Sequence, residues 1–306
     1  MIFETLIPTL IPLYILIAMG FIGGRYMDIN LQSMATITIY FISPVVVFGA
    51  VGQLDLKPEY LLLPVGLAFA STIVTFISYQ AANFIFRDNL ANLIAMGSPQ
   101  SNSGYFGLPV VLSIYGAGAS GLYLMTSIGA EIISITVGYY FGARGSFDVR
   151  ESLLKVLKLP VLHGLWLGLI WNVSDFGFSK SFLDYWTYFT GAWVVLGMML
   201  IGVALGKLLR FHINWKLLSY LSFIKFIFWP LLIFAVILFD RAFSMIFDEQ
   251  VYGLLMIWSL CPLMGNLVAY AALLNVRPDE AAMSVLISTL FALLFMPFVL
   301  SITGFL

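Results

Sequence analysis

The chain has 306 residues, of which 61% are hydrophobic, 16% aromatic and only 9% charged, with a net charge of −1 and a mean hydropathy of +1.02. An ordinary soluble domain carries about 25% charged residues, so a water-soluble enzyme or binding module is excluded and the chain reads as an all-α integral membrane protein. No basic or acidic block marks a nucleic-acid partner; the lipid bilayer is the expected one.

The first apolar run, at 6–26, is too long for a signal-peptide core and lacks both a basic n-region and a small-residue cleavage site, so it reads as a membrane span. Because about 20 apolar residues cross the hydrocarbon core, further spans are expected at 31–53, 60–86, 90–115, 121–143, 157–173, 185–208, 217–239, 251–276 and 281–304. Every linker is short, and the longest, "RGSFDVRESLLKVLK", lies near the midpoint. It divides the chain into a five-helix half at 1–145, a cytoplasmic linker at 146–156 and a second five-helix half at 157–306. The odd-numbered linkers hold Arg25, Arg87, Arg144, Arg150, Lys155, Lys158, Lys207, Arg210, Lys216 and Arg277, while the even-numbered ones hold only Lys57, Lys180 and Arg241. That asymmetry places the odd linkers in the cytoplasm and both termini outside.

The halves echo one another. Pro12 and Gly20 in span one match Pro160 and Gly168 in span six at the same spacing, and "LMTS" at 124–127 in span five resembles "LIST" at 286–289 in span ten. Span four is interrupted by Gly97, Pro99, Asn102, Gly104, Gly107 and Pro109, and span nine by Pro262, Gly265 and Asn266. Halves with an odd number of spans enter the membrane from opposite sides. Two inverted five-helix repeats with paired interrupted segments are the signature of a secondary transporter and the best pointer to its binding site.

Proline removes a backbone donor, and glycine permits conformations that end a helix. The freed backbone groups cost several kcal/mol each in lipid, so an unwound stretch persists only where protein or a water-filled cavity surrounds it. Half-helix N-termini at such a cavity hold an anion without a buried arginine. The amides after Asn102 and after Asn266, with Ser103, Gly104 and Gly265 beside them, are the candidates for substrate binding, and Pro99, Gly107, Pro109 and Pro262 for shaping the crossing. One such segment alone reads equally as a proline kink that tunes packing; two in matching halves favour a site.

Two ionisable residues fall within spans and are candidates for coupling. Glu131, mid-span in five, reads either as a group that loads and releases a proton or as a neutral acid hydrogen-bonded between helices. Lys225 in span eight reads as an anion attractor, a partner for Glu131, or a side chain that snorkels to the interface. His163 is expected to be packed or hydrogen-bonded between helices, His212 belongs to a cytoplasmic basic turn, and Cys261 is a small core residue. The sequence carries no nucleophile elbow, HExxH, CxxC or P-loop, so neither an enzyme, a metal site nor a cofactor is expected.

At "SNSGYFGLPVVLSIYG" the sequence resembles the auxin efflux carrier family, whose first interrupted helix reads Asn-x-Gly-aromatic-x-Gly-x-Pro before a Tyr-Gly turn; Asn102, Gly104, Tyr105, Gly107, Pro109, Tyr115 and Gly116 fill that pattern. The likeness continues through "LPVLHGLWLGLIWN", "KFIFWP" and "AAMSVLISTLFALLFMP". It implies ten helices in two inverted repeats, crossover helices four and nine, a scaffold and a transport domain drawn from both repeats, and elevator-type alternating access as in the bile-acid symporter architecture. It also implies a small organic anion as substrate, such as malate, malonate, lactate or an indole acid, with Asn102 facing its carboxylate. A bacterial-type member would sit in the plasma (inner) membrane. Apart from the resemblance, a proton is the candidate coupling ion and a homodimer through the scaffold domain would suit the expected movement; an anion channel or a sodium-coupled symporter of bile-acid type is the alternative. Two departures are visible: Pro262 is followed by Leu263 where family members have paired prolines, and Glu131 stands where relatives have a neutral polar residue.

Overall fold

The computed structural model describes residues 2–54, 60–86, 88–208 and 213–304, and their side chains except those of 2–7, 9 and 117. Lys57, Arg87, Arg210 and His212 lie outside the described residues. The chain folds into thirteen helical segments among the described residues: α1 (Ile2–Tyr26), α2 (Leu31–Gly52), α3 (Leu62–Phe86), α4 (Leu90–Gly97), α5 (Ser103–Tyr115), α6 (Ser120–Arg144), α7 (Val149–Leu157), α8 (Pro160–Val173), α9 (Lys180–Gly206), α10 (Trp215–Ser244), α11 (Glu249–Leu260), α12 (Asn266–Leu274) and α13 (Pro278–Thr303). Each expected apolar segment is occupied by one helix, or by two at 90–115 and 251–276. Six helices, α2, α3, α6, α9, α10 and α13, are long and apolar enough to cross a membrane alone, and α7 with α8, bent by 47°, pass together.

Local chemistry sets these boundaries. Asn30, Asp148, Ser179, Asn214 and Asp248 cap α2, α7, α9, α10 and α11, each accepting a backbone N–H from the first turn and so satisfying one of the donors a helix start leaves orphaned. The linker at 146–156 is itself largely helical, because Asp148 nucleates α7 before Pro160 starts α8. Inside the long helices, π-helical turns at Ile37–Ile42, Ser103–Gly107 and Ile224–Phe228 lie immediately before Pro44, Pro109 and Pro230. The wider turn accommodates a ring that would otherwise strike the preceding carbonyl, so these helices bend without ending. Gly107 and Pro109 therefore lie within α5, not in the interruption. The chain unwinds earlier, at Ser98–Asn102.

Two packing groups result. α1 lies along α9, and α2 along α8, with α9 also against α2; the second group comprises α3 to α6 and α10 to α13. In the first group the closest contacts are made by glycines four apart. A Cβ on Gly20 or Gly24 of α1 would strike the backbone of Met199 or Val203, and one on Gly202 or Gly206 of α9 would strike Ile17 or Phe21. Gly164 and Gly168 of α8 meet Pro44 and Phe48 of α2 in the same way. Small residues at this spacing let helix backbones touch, which gives association in lipid the van der Waals contact that hydrophobicity cannot supply there. Because Gly164 and Gly168 face α2, His163 is turned away and is exposed, contrary to the expected packed position.

Candidate functional site

The two interruptions cross each other. Between α4 and α5 the chain is extended at Ser101, and between α11 and α12 at Leu263; the two residues form an antiparallel bridge, with Asn102 N donating to Pro262 O at 2.9 Å. Neighbouring helices take up the remaining backbone groups. Trp229 Nε1 of α10 donates to Ser98 O at 2.9 Å, Ser71 Oγ of α3 to Pro99 O at 2.9 Å, and Leu263 N to Ser288 Oγ of α13 at 3.2 Å. The crossing is thus protein-lined irregular backbone, the form in which unwound chain survives at membrane depth. Pro99 and Pro262 sit in it, each lending a carbonyl as acceptor. Gly107 instead lets α5 approach Tyr123 and Cys261, where a Cβ would collide.

Beside the crossing lies a cavity of about 160 Å³, between the broken helices and the faces of α2 and α9. Val46, Val47 and Val51 of α2 and Trp186 and Trp193 of α9 form its apolar wall. Its polar side is made of Ser101 to Tyr105, Gly265, Asn266, Ser127 and Glu131, so Asn102, Ser103, Gly104, Gly265, Asn266 and Glu131 are brought to one place. No lysine, arginine or histidine lines it among the described residues.

The donors are two half-helix starts and one amide. At the start of α5, Ser103 N donates to Ser101 O and Phe106 N to Asn102 O, which leaves the Gly104 and Tyr105 amides without a backbone acceptor. At the start of α12, Leu267 N donates to Met264 O and Val268 N to Gly265 O. The amides after Asn266 are therefore occupied, and the free pair lies one step earlier, at Gly265 and Asn266, because α12 begins at Asn266 itself. Tyr105 Oη donates to Asn266 Oδ1 at 2.8 Å, joining the two starts. Asn102 is 3% exposed and its Nδ2 has no partner, a costly arrangement for a buried donor unless something else occupies it.

The two ionisable candidates do not meet. Glu131 Oε2 accepts from Gln100 Nε2 at 2.5 Å, and that nitrogen lies 3.4 Å from Ser103 Oγ. Lys225 is 1% exposed, so it does not snorkel; its Nζ donates to Ser101 Oγ, and the ring of Trp258 lies 5.2 Å away. It buttresses the crossing and does not line the cavity. Sequence reasoning missed Gln100, Trp186, Thr190 and Trp193. The last three had a signal: at i, i+4 and i+7 they form one stripe of α9.

Residues 5–300 match a family model described as membrane transport protein. An uncharacterized transporter of Methanocaldococcus jannaschii is 26% identical over 238 residues, covering 72% of this chain and 76% of the relative.

Proposed function

Because this chain belongs to the membrane transport protein family, the auxin efflux carrier family, we propose that it is a secondary carrier of small carboxylic acids that binds them in the cavity beside the crossed helix breaks. The observation that carries this reading is the unpartnered Asn102 Nδ2 beside the free amides of two half-helix starts. Convergent donors with positive dipole ends are what a carboxylate needs in a site without a basic side chain. The volume favours a small solute: about 160 Å³ is below the roughly 300 Å³ at which drug-sized pockets begin, too little for a molecule of bile-acid size.

In this reading α1, α2, α8 and α9 form a scaffold, and the second group carries the site past it in an elevator-type movement. Two features support it. The cavity lies on the seam between the groups, and the pairs α1 with α9 and α8 with α2 correspond under a five-helix inverted repeat, in which Gly20 and Gly168 hold equivalent places. A channel would need a polar stripe continuing through several helices, and here the polar residues gather at the crossing. The basic-residue asymmetry orients the carrier in the plasma membrane with both termini outside.

The test is uptake into proteoliposomes of labelled malate, malonate, lactate, indole-3-acetate and leucine, a panel spanning mono- and dicarboxylates with and without a donor beside the carboxyl. At least one is expected to show saturable uptake. A hydrogen bond to a charged group contributes about 1.5 to 3 kcal/mol, so Asn102→Ala should raise the half-saturating concentration about 10- to 100-fold. Saturable uptake unchanged in Asn102→Ala would remove the site from the crossing, and no saturable uptake of any acid would overturn the carrier reading.

A further inference from the structure

The donors account for a carboxylate but not for Glu131, an acid in a cavity with no basic side chain. We propose that the substrate carries a protonated amino group next to its carboxylate, held by Glu131, so that the site takes a zwitterionic 2-amino acid with an apolar side chain. This rests on the carrier reading above and specifies what is carried.

Three observations lead there. First, among the described residues no basic side chain lines the cavity or pairs with Glu131. Lys225, the basic residue of the crossing, is spent on Ser101 Oγ and does not line the cavity. Gln100 neutralises nothing; it binds Oε2 only, and no hydrogen bond to Oε1 occurs among the described residues. Opposite so apolar a wall, an ionised Glu131 is favoured by a partner of opposite sign, and an arriving ammonium supplies one. Second, Glu131 is tied to the carboxylate donors. Gln100 Nε2 contacts both Glu131 and Ser103 Oγ, and Ser103 adjoins Asn102. A carboxylate and an amine on one carbon suit acceptor and donors linked through one side chain. Third, the rings of Tyr105 and Trp193, 4.3 Å apart between centroids, form part of the cavity wall, and aromatic faces are favourable surroundings for an alkylammonium. The rest of the wall is apolar and suits an aliphatic or aromatic side chain.

The charges then balance: carboxylate against the two half-helix starts, ammonium against Glu131. A dicarboxylate such as malonate would instead set its second charge against Glu131, a like-charge pair at close range.

The test is uptake of labelled leucine into proteoliposomes, with competition by 4-methylpentanoate, which lacks the amine, and by 3-methylbutylamine, which lacks the carboxylate. Wild-type protein should take up leucine saturably, and each truncated analogue should compete at least 10-fold more weakly. In Glu131→Gln, which keeps size and shape, leucine affinity should fall at least 10-fold while 4-methylpentanoate affinity holds or rises; an unchanged thermal unfolding midpoint would show that the loss is not misfolding. If wild type takes up 4-methylpentanoate or malonate as well as leucine, or if Glu131→Gln weakens all acids equally, the amino-group proposal is wrong and the carrier reading stands. If no acid is taken up at all, both fall.

Discussion

At Ser101 a hydroxyl inside the crossing accepts the buried ammonium of Lys225, and this contact shows what one residue does for the site. The lysine reaches from α10 to the unwound chain, where Trp229 of the same helix holds Ser98 O. Ser101→Ala would leave that ammonium without its side-chain acceptor, which costs about 1 to 3 kcal/mol for a neutral group and more for a charge. The thermal unfolding midpoint in detergent should fall accordingly, and Lys225→Met added to Ser101→Ala should recover part of the loss by removing the stranded charge. Equal midpoints for wild type and Ser101→Ala would mean that the crossing is held without this bond. The contact was not legible in the sequence, since nothing in "SPQSNSG" says which of its hydroxyls a lysine 124 residues away will meet.

The helices are held by backbone proximity more than by polar pairing. Gly202 of α9 lies against the backbone of Ile17 to Phe21 on α1, whereas Gly191 of the same helix has nothing within 4 Å of a Cβ. Gly202→Leu should push the two helices apart; overpacking of this kind costs about 1 to 3 kcal/mol and should show as loss of the monodisperse peak in size-exclusion chromatography. Gly191→Ala should be neutral or stabilising by up to about 1 kcal/mol, from helix propensity alone. Normal behaviour of both variants would refute the close-packed α1–α9 seam. Here the sequence was readable: Gly20 and Gly168 already stood out as matching positions, although their partners did not.

The cavity belongs to no single helix, since it is bounded by α2 and α9 on one side and by the broken helices and α6 on the other. Movement of one packing group past the other would alternately expose it. Ser127 lines the cavity, and the chain's sole cysteine, Cys261, is buried. Ser127→Cys in a Cys261→Ala background should therefore react with a membrane-impermeant thiol reagent added from either face, and saturating substrate should slow both reactions. Reaction from one face only, whatever the substrate concentration, would argue for a fixed pocket in place of an alternating one.

Features that depend on local covalent geometry and on solvent are readable from the chain alone. Long apolar runs separated by charged turns specify membrane helices, because each must satisfy its own backbone in lipid. Proline and glycine mark 97–109 and 262–266 as interrupted, because they act on the adjacent turn wherever it lies, and the fold narrows the first break to Ser98–Asn102. The motif around Asn102 marked the family. It takes the packed helices to show that the two interruptions touch, that Glu131 faces the cavity while Lys225 lies behind the crossing, and that the free amides of the second half-helix belong to Gly265 and Asn266. These depend on how helices distant in sequence pack and rotate about their axes. Rotation is set by which small residues let backbones meet, and that is a property of pairs of helices that neither sequence segment carries alone.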